Sequence, residues 1–543
     1  MKHTSKTGLF FCRCGPNIGS IIGLDGLADP SLWPSVPIVA THSTLCSEEG
    51  KAWLAEHIKH HGIERAVIVG CSPREHEATF QRVLSEAGLN PYMLQMVNIR
   101  EQCEWVAESS AEATAKALAL VRAGLSRVQF HEGITPSEID CNPDVLIIGA
   151  GVAGLSAALT LSQKGRKVYL IEKEFILGGR VYLLDEAYPG MECASCFLEP
   201  ALAQVMHDER VKVLTGVEVK DVVGSYGNFT VTVYKKSRRV DPESCIGCRT
   251  CASACPVDVP DEYSGGMGTR KAAHLPFEGC LPHVSVIDSE RCLRFTGGSC
   301  EACAEACPFG AIRLAEEDEE MEIRCGALVL ATGCTNVPAP KAGSEADILD
   351  CFQMERMLHP NGPTGGQVLR KNGCPPVSIL FALSEDGRRD GLLGWMEIIK
   401  LAERVRHVLP GVRMILAGGT GWNLGPGSDL MNGLEAADAD FVPAWLTGVT
   451  ASGENGTLSA TLQDGVAFSQ RPAEMVVVWT KSAPARGADH LGRLLRIRTR
   501  PDSFFEDRVG PFETAFSGVA GICVAGCAGG PRTIAASIQD GAV

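Results

Sequence analysis

Along most of the chain, short apolar runs alternate with amphipathic segments, the pattern of an α/β protein. Near the start, Pro37-Ile-Val-Ala and Ala66-Val-Ile-Val-Gly read as buried strands, and Lys51 to His61 and Ser109 to Ala123 read as helices. Residues 1–140 are therefore expected to form a small N-terminal α/β domain. Asp144-Val-Leu-Ile-Ile-Gly then opens a new unit, since a continuous apolar run suits a parallel strand covered on both faces. A glycine-rich turn, an Ala/Leu-rich helix and a second strand, Lys167-Val-Tyr-Leu-Ile, complete a βαβ unit. Between about 241 and 316 the periodicity fails, and it resumes at Gly326-Ala-Leu-Val-Leu-Ala-Thr-Gly, so the intervening segment is an insertion. Strand-like runs return in Val377-Ser-Ile-Leu-Phe, Val412-Arg-Met-Ile-Leu and Met475-Val-Val-Val-Trp, and once more at Gly521-Ile-Cys-Val-Ala-Gly. The expected division is a first sheet domain in three pieces (141–240, 317–376 and 491–543), an insert at 241–316 and a second nucleotide-fold-like module at 377–490.

Composition narrows the class. The chain has 543 residues, 45% hydrophobic and 21% charged, as in soluble globular proteins. No run of 18 apolar residues occurs and Met1 to Phe11 has no apolar signal region, so no membrane span and a cytoplasmic location are expected. A net charge of −15 argues against nucleic acid as a partner, because that binding rests on neutralising phosphates.

The 23 cysteines are too many to ignore and, without a secretory signal, suit metal ligation better than disulfides. Nine fall between Cys245 and Cys307. The first group, Cys245-Ile-Gly-Cys248-Arg-Thr-Cys251-Ala-Ser-Ala-Cys255-Pro, has the spacing with which three thiolates hold one cubane while the fourth serves its neighbour. The second group is Cys292, Cys300, Cys303 and Cys307-Pro308. Crossing the ligands gives Cys245, Cys248, Cys251 and Cys307 for one [4Fe–4S] cluster, and Cys292, Cys300, Cys303 and Cys255 for the other. A pair of zinc sites fits poorly, since the first group is too crowded for one tetrahedral ion. Cys280, between the groups, reads as a buried small hydrophobe.

Gly149-Ala-Gly151-Val-Ala-Gly154 follows a strand and opens a helix, the context of a dinucleotide-binding turn, and Glu172 ends the next strand, placed for a ribose hydroxyl. That much suits NAD or FAD. Glu172-Lys173 followed by Leu177-Gly-Gly179-Arg180, with Thr332-Gly333 and Gly526-Cys527 later on, selects FAD, because these resemble motifs of thioredoxin-reductase-like flavoproteins with two dinucleotide folds. That resemblance implies that the residues near Gly526 pass the flavin ribitol. The second module has no G-x-G-x-x-G, so no nicotinamide site is expected there.

Further motifs extend the resemblance through nearly the whole chain. They are Cys12-Arg-Cys14-Gly-Pro-Asn-Ile-Gly, Cys46-Ser-Glu-Glu-Gly, Gly70-Cys71-Ser-Pro-Arg-Glu-His-Glu, Asn98-Ile-Arg-Glu-Gln-Cys103-Glu-Trp, Glu192-Cys193-Ala-Ser-Cys196, Arg270-Lys-Ala-Ala-His-Leu-Pro-Phe, Gly362-Pro-Thr-Gly-Gly and Ala525-Gly-Cys-Ala-Gly-Gly-Pro. In that order they closely resemble the A-type flavoprotein component of the CoB–CoM heterodisulfide reductases. The resemblance implies an oxidoreductase carrying FAD and [4Fe–4S] clusters, with an extra, third cluster for which Cys14, Cys71, Cys193 and Cys196 are candidate ligands and Cys46 and Cys103 are in reserve. Cys193-x-x-Cys196 equally suits a redox dithiol, and Cys12, Cys46 and Cys103 equally suit buried packing thiols.

The implied role is to convert two-electron flavin chemistry into one-electron cluster transfer, of which flavin-based electron bifurcation is one form. The implied partners are heterodisulfide-reductase B/C-like subunits, a hydrogenase- or dehydrogenase-like subunit, or a ferredoxin. Two departures weaken the case for bifurcation: Phe381-Ala-Leu-Ser-Glu-Asp-Gly and Leu393-Gly-Trp-Met-Glu-Ile-Ile-Lys lack the cysteines of longer family members, and the chain carries no second ferredoxin domain. The alternative function is a flavin-bearing assembly scaffold whose partners perform the net reaction.

Overall fold

Four apolar segments before residue 100 pair into one parallel sheet. In the computed structural model, which describes residues 6–543 apart from 136, 340–346, 420–428, 453–455 and 508–514, these are Thr7–Cys12, Ile38–His42, Arg65–Gly70 and Leu94–Asn98. Thr7–Cys12 lies between the second and third of them and is buried throughout. Alternate side chains of a strand point to opposite faces. Leu9 and Phe11 therefore pack with Val67, Val97 and Val121, while Phe10 and Cys12 pack with Leu54, Ile58 and Phe80. Helix Glu48–His61 starts at Ser47, whose hydroxyl accepts from Gly50 N at 3.1 Å, and stops at Gly62 in the left-handed region. These elements form one compact unit, residues 1–139, and residues 140–543 form another.

The second unit contains two five-stranded parallel sheets. The first has the spatial order Ile522–Val524, Ala327–Leu330, Val145–Ile148, Val168–Glu172, Val211–Thr215, every pair parallel. In the second the order is Ile348–Asp350, Met475–Trp479, Ser378–Leu383, Arg413–Ala417, Asp440–Val442, again all parallel. In each, three successive strands run outward from the centre. An antiparallel three-stranded sheet then intervenes (Val217–Ser225, Asn228–Lys235 and Glu319–Cys325 in the first; Trp445–Ser452, Thr457–Asp464 and Ala467–Ala473 in the second) before the chain returns beside the central strand. This is an internal repeat of architecture that no repeat in the sequence announces. The sequence shows only the doubled cysteine group.

The insert leaves and rejoins the first module at one place. Asn228–Lys235 and Glu319–Cys325 are antiparallel neighbours with Lys235 opposite Glu319, and those two side chains form an ion pair at 2.8 Å. Beyond them Val240 bridges Ile312 and Asp241 N donates to Ala311 O at 2.8 Å. An insertion whose ends are already zipped together costs the host sheet no pairing. The fold class is thus α/β with two dinucleotide-fold modules, a cysteine-rich insert and an N-terminal α/β unit, as expected. Among the described residues no helix is long and apolar enough to cross a membrane.

Candidate functional site

At the C-terminal end of Val145–Ile148, the middle strand of its sheet, the chain turns through Gly149-Ala-Gly151 into helix Val152–Gln163. A Cβ at Gly149 would stand 2.3 Å from the Ala331 carbonyl oxygen, and one at Gly154 would stand 1.9 Å from that of Gly149. Gly151 differs: a Cβ there would meet nothing within 4 Å, so the helix N-terminus faces open space. Leu177-Gly-Gly-Arg180 folds back onto this turn, with Gly178 N donating to Ala150 O at 2.9 Å and a Cβ at Gly179 falling 3.1 Å from Gly151 Cα. The Glu172 carboxylate accepts from Ala150 N at 2.7 Å and Glu174 N at 2.9 Å; desolvation nevertheless pushes its pKa up. Lys173 follows it, exposed.

The third wall comes from far along the chain. Leu330 pairs with both Ile148 and Val524, which brings Thr332-Gly333 and Gly526-Cys527 to the edge that carries the glycine turn. The Thr332 hydroxyl is buried without a hydrogen-bond partner. Such an orphan costs about 1–3 kcal/mol, and a bound polar group would relieve it. An open helix N-terminus, an acidic residue at the end of the second strand and an unsatisfied hydroxyl fit a dinucleotide such as FAD. Arg180 reaches across to donate to Asn336 at 3.0 Å, so Asn336 and its neighbour Cys334 belong to this wall, though no motif marked them.

In the insert, the short helices Thr250–Ala254 and Ala302–Ala306 pack against each other, and each ends in a Cys-Pro. Cys251, Cys255, Cys292 and Cys303 are buried in one apolar cluster with Val240, Val284 and Ile287, and Cys245 and Cys307 pack against it. Cys300 is half-buried and Cys248 exposed. Cys251 lies within electrostatic reach of Cys245 and Cys248, whereas Cys303 feels Cys292, Cys251 and Cys255. Burial, reinforced by those neighbours, pushes the Cys303 thiol up to about 11. So many buried thiols ionise together only with cations among them. Amide N–H groups point at two of the sulfurs, Ala273 N at Cys255 (3.5 Å) and Ala311 N at Cys307 (3.3 Å), as suits thiolates bound to iron.

The insert also touches the glycine cradle. Leu177 N donates to Leu281 O at 2.8 Å, the Tyr182 hydroxyl donates to Gly279 O at 2.6 Å, and the Tyr182 and Phe277 rings meet edge-on at 5.4 Å. Cys280 is fully buried beside Ile176, Tyr263 and Leu275.

In the N-terminal unit, Cys12, Cys14, Cys46 and Cys71 ring a cavity of about 150 Å³ with His76, Phe80, Met96 and Arg100. Leu45 N donates to Cys12 Sγ at 3.4 Å and the Arg100 guanidinium to Cys14 Sγ at 3.8 Å. Burial pushes Cys71 up to about 11; Arg100 opposes this and the other three thiols add to it. Of the four ligands expected from the resemblance, then, Cys14 and Cys71 stand in this ring. Cys193 and Cys196 belong to the other unit, exposed at the start of helix Ala194–His207, where hydrogen bonds from Ser195 and Cys196 pull Cys193 down. Cys103 is buried on the opposite face of the sheet, beside Val97 and Ala113. Cys12 and Cys46, read as equally suited to packing, line the same cavity. A usable signal existed: Cys12 ends a parallel strand, and Cys14, Cys46 and Cys71 follow the C-terminal end of one within a few residues, the edge where α/β sheets place their sites.

An FAD binding domain model matches residues 144–183, and a 4Fe-4S binding domain model matches residues 238–261. The chain is 33% identical over 563 aligned residues to the A component of the ferredoxin/F420H2-dependent CoB–CoM heterodisulfide reductase of Methanosarcina acetivorans, covering 99% of this chain and 69% of the relative. It is 32% identical to the iron–sulfur A component of the CoB–CoM heterodisulfide reductase of Methanocaldococcus jannaschii (97% and 83% covered). Among solved structures, the thioredoxin reductase of T. acidophilum aligns with 75% of this chain and 96% of its own, at 13% identity and a TM-score of 0.41.

Proposed function

The chain belongs to the family of CoB–CoM heterodisulfide reductase A components, and from that premise we propose that it is the FAD- and [4Fe–4S]-dependent electron-transfer subunit of a heterodisulfide-reductase-like complex. It is an oxidoreductase with an FAD-binding and a 4Fe–4S-binding domain. FAD, when bound, supplies two-electron chemistry and can pass its electrons on singly, which clusters accept one at a time.

In this reading, the amides around Gly149, Gly151 and Gly154 take the pyrophosphate, and Glu172 and Lys173 take the adenosine ribose side. Gly179, Arg180, Thr332, Gly333, Gly526 and Cys527 line the flavin side. Cys245, Cys248, Cys251 and Cys307 hold one insert cluster, and Cys292, Cys300, Cys303 and Cys255 hold the other. Cys12, Cys14, Cys46 and Cys71 hold a third. The partners are the other subunits of the complex or a ferredoxin. Bifurcation adds to this a second acceptor of different potential.

The observation that carries the proposal is the direct packing of loop 177–182 of the cradle on residues 277–281 of the insert, which joins the cysteine-rich insert to the cradle in one compact unit. Anaerobic reconstitution is expected to yield one FAD and about twelve irons per chain. A low-potential donor should bleach the flavin, and Cys251→Ser should slow that bleaching at least tenfold while leaving FAD content unchanged. Flavin that no low-potential donor can reduce through the clusters would instead favour an assembly scaffold.

A further inference from the structure

Two cysteines outside all of these cluster sets meet in the cradle. Cys334 and Cys527 leave the C-terminal ends of adjacent parallel strands whose last paired residues are Leu330 and Val524. Each is directly preceded by a glycine in the left-handed region, Gly333 at φ 71° and Gly526 at φ 61°. Pairing of the two strands up to Leu330 and Val524 delivers both chains to the same sheet edge. The two thiols are close enough to share a hydrogen bond, and the Arg180 charge bears on both. Cys527 Sγ also lies 3.8 Å from Ser537 Oγ. Sharing the Cys334 proton pulls Cys527 down to about 6 against its burial, and drives Cys334 up. A thiol whose pKa is drawn down beside a second thiol suits the thiolate attack through which an S–S bond forms.

We propose that Cys334 and Cys527 are a redox-active dithiol–disulfide pair that exchanges an electron pair with the flavin. On oxidation two S–H bonds break and one S–S bond forms. The two protons and two electrons released reduce one oxidised flavin to its dihydro form, and the reverse step returns them. The pair is a two-electron store beside a centre that feeds one-electron carriers. The exchange rests on the flavin reading above; the disulfide itself does not.

The full chain is oxidised with diamide, alkylated and digested without reduction, both with and without FAD. A peptide linking Cys334 to Cys527 is expected in both samples; recovery of both cysteines alkylated from the folded, oxidised chain would overturn the pair. In a reductive titration of the FAD-loaded chain, wild type should take up two more electrons per chain than Cys334→Ser of equal iron and flavin content. Equal uptake by the two proteins overturns the exchange with flavin even where the cross-link forms. If the chain retains no FAD, the flavin reading fails and the exchange with it, while the cross-link in flavin-free protein still supports the dithiol. Cys527→Ser checks the result from the other side and should abolish the cross-link without lowering the iron content.

Discussion

In the first parallel-sheet module Gly151, in the turn after the central strand, and Gly333, after its neighbour Ala327–Leu330, look into open space; in the second, glycines that follow Ser378–Leu383 and Arg413–Ala417 pack against indole rings. A Cβ at Gly387 or Gly394 would fall 2.7 Å or 2.8 Å from the Trp479 ring, and one at Gly418 would fall 2.6 Å from that of Trp395. Trp395 is wholly buried and Trp479 nearly so. Strand order and direction match, and the modules differ in what occupies the sheet edge where α/β folds place their ligands. Glycines occur in both places but serve opposite ends. In the first module they leave open space, and in the second they admit indole rings. A glycine-rich turn is thus evidence of close approach, and the structure says what approaches.

The contrast can be broken most severely at the plug. Trp479→Ala should cost about 3–5 kcal/mol of stability, read as a lower melting temperature, with FAD content per chain unchanged. A variant that melts like wild type would mean that the second edge is not held by its tryptophans. Next in size is Gly151→Val, whose side chain enters empty space: the flavin-free chain should keep its melting temperature while FAD affinity falls by about 100-fold, roughly 2.7 kcal/mol, in a fluorescence titration. Undiminished affinity would move the pyrophosphate elsewhere. The smallest and sharpest test is Thr332→Val. Removing an unsatisfied buried hydroxyl should stabilise the flavin-free chain, or leave it unchanged, and weaken FAD binding by about 0.5–1.5 kcal/mol. The same sign in both measurements would show that the hydroxyl does not await a ligand.

The glycine cradle and the insertion point were legible because both are written locally. A strand, a turn and a helix follow one another within some twenty residues from Asp144, and the loss and return of apolar periodicity mark the insert. The N-terminal thiol ring was half legible. Cys14 and Cys71 were singled out, but Cys12 and Cys46 look like packing residues until the strand order brings their ends together. Cys193-x-x-Cys196 lies exposed at the start of a helix in the other compact unit.

By itself, then, the sequence determined what short-range geometry dictates: the α/β alternation, the glycine turn that opens a helix and the close spacing of the insert cysteines. Tertiary structure alone decided the likeness of the two sheet modules, the filling of the second by tryptophan, and the meeting of Cys12 with Cys71 and of Cys334 with Cys527. Thiols 59 or 193 residues apart converge through the pairing order of parallel strands, and apolar runs that suit any buried strand do not specify that order.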